Sequence, residues 1–166
     1  MNEELETQET TATVEAQDAQ DTTASQSKPE LKTLEEVRQA RLGKFSVGLT
    51  AADAKFFRNV LNKAEYKGSN EAYLLIMAHA ELSATSQYLD EVVNQDKSKK
   101  ESRHNVELTS ATIEALNYFL ERKHGAGAES ARRLFTSTMV LRPVLNELQA
   151  LDQKMQEFQK KEEEAK

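Results

Sequence analysis

Cysteine is absent from these 166 residues. That excludes disulfides, thiolate-bound zinc and cysteine nucleophiles together, and it suits a reducing compartment. Tryptophan is also absent and aromatic residues make up 6%, so a core must be built from aliphatic side chains with a few Phe and Tyr. There are two prolines and five glycines, too few for a turn-rich all-β fold. The longest apolar run, residues 73–78, falls far short of the roughly 20 residues of a membrane-spanning helix. Residues 1–27 hold no lysine or arginine. They lack the basic start of a secretory signal and the arginines of a transit peptide. No Gly-rich phosphate loop, Walker pattern or Gly-x-Ser-x-Gly turn occurs. These absences point to a non-enzymatic protein of the cytoplasm, or of a virion, neither secreted nor membrane-bound. No cofactor and no small-molecule substrate is expected.

Charge is present but unevenly placed. The net charge is −6, and seven acids (Glu3, Glu4, Glu6, Glu9, Glu15, Asp18, Asp21) lie within residues 1–27, which leaves the remainder at +1. Residues 1–32 are Thr, Gln, Glu, Ala and Ser with few large apolar side chains. Such a segment cannot bury enough surface to offset its ordering entropy, so it reads as a disordered acidic tail. Residues 33–166 read as one helical domain.

Helix signals follow. Thr33-Leu-Glu-Glu36 fits a capping box opening a short helix to about Leu42, where Gly43 and Gly48 interrupt. Thr50 and Asp53 cap a second helix, whose apolar positions Phe56, Phe57, Val60, Leu61 and Ala64 form one stripe. A third helix runs from Asn70 to about Asn94. Residues 95–107 read as a polar connector. A fourth helix follows Leu108-Thr109 and ends at Gly125-Ala-Gly127. A fifth, about 128–161, contains Pro143, which deletes one backbone hydrogen bond and can kink a helix.

Leu49-Thr50 and Leu108-Thr109 are 59 residues apart, and the same offset relates Leu61 to Leu120, Gly68 to Gly127 and Ala72 to Ala131. An old duplication and a chance match of cap residues both account for this. Either way, two short-long hairpins predict an all-α fold. The expected form is a four-helix bundle of two helical hairpins, with an extra N-terminal helix and an extended last helix.

The sharpest pattern is the ladder Leu141, Val144, Leu148, Leu151, Met155, Phe158, with a 3-4-3-4-3 spacing. That is the seam of a helix that packs along another helix. The fifth helix is longer than the third by about two turns, which leaves Met155 and Phe158 for a partner to cover. The functional expectation is a scaffold- or adaptor-like assembly protein, viral or virion-associated by analogy. It binds a protein partner or a second copy through these six residues. The alternative is a nucleic-acid-associated protein. Lys97, Lys99, Lys100 and Arg103, with His104, cluster in one loop, and phosphate contacts need only such a cluster. Arg132 and Arg133 are candidate neighbours, and the acidic tail would compete with polyanions there. Glu101-Ser-Arg-His104 and Glu121-Arg-Lys-His124 have the Glu-x-x-His spacing of di-iron carboxylate sites. Their polar settings, without inward-facing Glu partners on the other helices, argue for solvated charge and no metal. His79, among apolar neighbours, reads as a hydrogen-bonded or half-buried histidine.

Overall fold

Six residues that the helical reading treats as a break, Lys44–Leu49, form a β-strand, and His104–Thr109 at the end of the polar connector form its partner. The computed structural model describes residues 30–164. The acidic tail expected over 1–32 lies almost wholly outside the described residues. The element order is α1 (Leu34–Arg41), β1 (Lys44–Leu49), α2 (Ala51–Asn62), α3 (Gly68–Gln95), a short 3-10 turn (Lys97–Glu101), β2 (His104–Thr109), α4 (Ser110–Glu121) and α5 (Ala128–Glu164).

The all-α four-helix bundle of two hairpins is therefore corrected. Two antiparallel strands pair across the chain in the register Lys44↔Thr109 to Leu49↔His104, and the helices pack around that ribbon. The physical reason lies in the alternation of burial. Phe45, Val47 and Leu49 point inward from β1, as do Val106 and Leu108 from β2. Each strand offers only a few apolar positions, so neither is stable until the other, far away in sequence, joins it.

The offset of 59 acquires a structural meaning. Position 47 plus 59 is 106, and Val47 and Val106 are directly opposite one another in the ribbon. The chain is thus two β-α-α units in sequence order, and their strands are related by a local twofold through that buried valine pair. Matching positions are buried in both units: Ala54 and Ile113, Phe57 and Leu116, Leu61 and Leu120, Leu82 and Leu141, Leu89 and Leu148. Burying each large aliphatic or aromatic side chain contributes about 1.5–3 kcal/mol. The units interlock, since α3 of the first packs on α4 of the second as well as on α2. Gly68 and Gly127 open α3 and α5 with positive φ, a backbone shape that costs other residues more.

The strand-to-helix junctions also match, with one exchange. Thr50 Oγ1 accepts from Asp53 N at 3.0 Å, and the Asp53 carboxylate accepts from Thr50 N at 3.2 Å, completing a capping box. Thr109 Oγ1 accepts from Thr112 N at 3.3 Å. Threonine now stands where Asp53 stood, and the acid comes from Glu81 of α3. Its carboxylate accepts from Thr109 N at 3.1 Å and from Thr109 Oγ1 at 2.7 Å.

α1 is an addition outside the repeat. Its capping box at Thr33 and Glu36 is formed, and two backbone N–H groups donated to the Glu36 carboxylate hold its pKa below the ordinary value. Leu34 and Val37 are buried, and α1 lies on α5. Arg41 fixes the contact by donating to Asp152 at 2.7 Å and pairing with Glu114. α5 continues through Pro143 as one helix.

Two buried hydroxyls, Ser86 Oγ and Ser137 Oγ, have no hydrogen-bond partner. An unpaired buried hydroxyl forfeits its hydration with nothing in return. Ser137→Ala is expected to raise stability by about 1 kcal/mol, read as a higher urea midpoint. A lower midpoint would show that the hydroxyl is bonded.

Candidate nucleic-acid interface

The two faces of the ribbon differ in kind. Lys44, Ser46, Asn105 and Glu107 are exposed and Gly48 is partly so, whereas Phe45, Val47, Leu49, Val106 and Leu108 are buried under the helices. The pleat requires this, because successive side chains on a strand point to opposite faces. Ser46 is opposite Glu107, and Gly48 is opposite Asn105. The side chains of Lys44, Ser46, Asn105 and Glu107 bond to no other described residue.

Arg103 precedes β2 and is exposed. A Cβ placed on Gly48 would lie 4.0 Å from carbons of Arg103 and 3.7 Å from Asn105 Oδ1. Arg103 and Asn105 therefore lie across the bare glycine, and a larger residue at 48 would have ordinary contacts with both. The outward row holds two cations (Lys44, Arg103), one anion (Glu107), an amide and a hydroxyl. These groups donate and accept hydrogen bonds.

The basic segment leads into this row. Lys97, Lys99 and Lys100 lie exposed on the 3-10 turn. Asp96 is occupied at its start, accepting from Ser98 Oγ at 2.7 Å and from Ser98 N at 3.0 Å. Those two bonds, the hydroxyl first, lower its pKa. Arg133 is engaged elsewhere: it donates to Ala52 O at 2.9 Å and lies 3.6 Å from Asp53 at the start of α2.

The remaining candidates are dispersed. His104 points inward opposite Leu49, half-buried, with Nε2 buried and unpartnered, while Glu101 is exposed on the turn. Glu121 and His124 line an open pocket with Lys63 and Arg122. Among the described residues no group of His, Asp and Glu could hold a metal ion. His79 is half-buried on α3. Of the ladder, Leu141, Val144 and Leu148 are buried in the core, and Leu151, Met155 and Phe158 are half-buried toward the end of α5. No helix among the described residues is long and apolar enough to cross a membrane.

Sequence reasoning missed Lys44, Ser46, Asn105 and Glu107. The signal was present in the alternation Phe45, Val47, Leu49 and its echo at Val106 and Leu108, 59 residues from Val47 and Leu49. No protein-family model, curated protein or solved structure matches the chain.

Proposed function

We propose that the chain is a non-enzymatic protein that binds double-stranded DNA, laying the outer face of the β1–β2 ribbon in the major groove. The observation that carries this reading is the outward row: Lys44, Ser46, Arg103, Asn105 and Glu107 form a strip of hydrogen-bonding groups on a two-stranded ribbon whose other face packs on the core. A major groove about 12 Å wide admits such a ribbon. A-form RNA does not, because its major groove is deep and narrow. Lys97, Lys99 and Lys100 supply phosphate contacts beside the row.

The test is a fluorescence titration of the full chain with a random-sequence duplex at about 50 and 200 mM salt. About four phosphate contacts predict a loss of roughly a hundredfold in affinity between the two. Absence of binding at low salt contradicts the reading, and so does equal binding to single-stranded DNA.

A second reading, assembly with another copy of the chain, also has an observation in its favour. The N-terminal half of α3 exposes Tyr73 (64%), Leu74 (41%), Ile76 (65%) and Met77 (51%), and Leu42 (73%) lies on the same groove as Tyr73, Leu74 and Met77. These exposed apolar side chains lie close together rather than scattered singly, and a clustered apolar patch marks an interaction site. Sedimentation of the intact chain, of Ile76→Lys and of a chain ended after Ala150 tests this. A dimer abolished by Ile76→Lys alone places the contact on α3. A dimer lost only on truncation places it on the Leu151, Met155, Phe158 end of α5. A monomer at high concentration contradicts self-association.

A further inference from the structure

The local twofold relates the backbone of the two strands but not their outward side chains. At the 59-residue offset, Lys44 matches Arg103, Ser46 matches Asn105, and Gly48 matches Glu107. The outward triplets are therefore Lys-Ser-Gly on the first unit and Arg-Asn-Glu on the second. A symmetric dimer repeats one triplet and so reads an inverted repeat, since the symmetry of a site mirrors that of the protein. This chain presents two different triplets from a single polypeptide.

We infer that its preferred site is a duplex DNA of two abutting half-sites that are not inverted repeats, one specifying guanine and cytosine and the other guanine and adenine. The inference rests on the reading of the ribbon as a DNA-binding face. The chemistry of each position sets the expectation. Lys44 and Arg103 both suit guanine O6 and N7. Arg103 lies opposite position 50 by continuation of the register, so the two cations are separated by six positions along the ribbon. At about 3.4 Å per residue that is about 20 Å, or about six base pairs at 3.4 Å each. Between these ends the units diverge. Asn105 pairs with adenine N6 and N7 in a bidentate manner, and Glu107 accepts from cytosine N4. Ser46 donates or accepts indifferently, and Gly48 has no side chain to read with. Because Glu107 is opposite Ser46 and Gly48 is opposite Asn105, Lys44, Ser46 and Glu107 lie on one side of the Val47–Val106 centre and Arg103, Asn105 and Gly48 on the other. One half-site is thus read by Lys44 and Glu107 and the other by Arg103 and Asn105.

Selection of the full chain against a library of random duplexes tests this. The expected result is a consensus with guanine near each end about six base pairs apart, cytosine preferred on the Lys44 side of the centre and adenine on the Arg103 side. On the enriched duplex, Asn105→Ala is expected to cost about tenfold in affinity and Ser46→Ala less than twofold. The combined change Lys44→Arg, Ser46→Asn, Gly48→Glu makes the two rows alike, and a Cβ at position 48 meets only ordinary van der Waals contacts. Selection with that variant is expected to return an inverted repeat. The reciprocal change Arg103→Lys, Asn105→Ser, Glu107→Gly gives the same check if the first fails to fold. An inverted-repeat consensus from the unaltered chain overturns the inference, as does retention of duplexes with no preferred sequence. Failure to retain any duplex overturns the DNA reading itself.

Discussion

Reversing Lys44 and Arg103 together to Glu lowers affinity for the enriched duplex by about a thousandfold and leaves the melting temperature unchanged. Removing one specific contact of this type costs about 1–3 kcal/mol, and reversal adds repulsion from phosphate. Both side chains are exposed and pair with no other described residue, so folding does not depend on them. The controls are Lys160→Glu and Lys161→Glu near the end of α5, remote in sequence from the ribbon, which should change affinity only slightly. Equal losses from both pairs would reduce the interaction to net charge and leave the ribbon no special role.

The second large effect concerns the interlocked core. Leu82 of α3 and Leu141 of α5 are pseudo-equivalent and both fully buried. Each Leu→Ala change is expected to destabilise the chain by about 3 kcal/mol, through lost transfer energy plus the cavity left behind. That is a large part of the 5–15 kcal/mol typical of a domain. Because the two units fold as one, each mutant should show a single urea transition with an unchanged slope. Two separated transitions would mean that the β-α-α units fold independently.

Much of the helical part was legible. The capping residues at Thr33, Thr50 and Thr109 announce the helices that follow, because their side chains accept from free N–H groups of the first turn. The offset of 59 was visible too, and it is the trace of the pseudo-dyad. The ribbon escaped for a physical reason. Lys44–Leu49 contains Gly48 and His104–Thr109 follows a charged, polar approach, so the alternation in each is too short to outweigh the helix signals around it. Only their pairing, register by register, shows that Val47 and Val106 are one buried contact. The basic segment was found because charge clusters are local in sequence. Ser46, Asn105 and Glu107 were not, because what makes them a site is the face they share. The ladder from Leu141 to Phe158 was equally plain, but sequence does not separate a seam buried in its own core from one awaiting a partner. Leu141, Val144 and Leu148 belong to the core, and α1 packs on α5.

The most direct measurement is a titration of isotope-labelled full-length chain with the enriched duplex, following backbone amide chemical shifts. Binding through the ribbon predicts the largest changes at Lys44, Ser46, Gly48, Arg103, Asn105 and Glu107, with smaller ones at Lys97, Lys99 and Lys100. Changes confined to the Tyr73, Leu74, Ile76 and Met77 face of α3, with the ribbon unmoved, would contradict it.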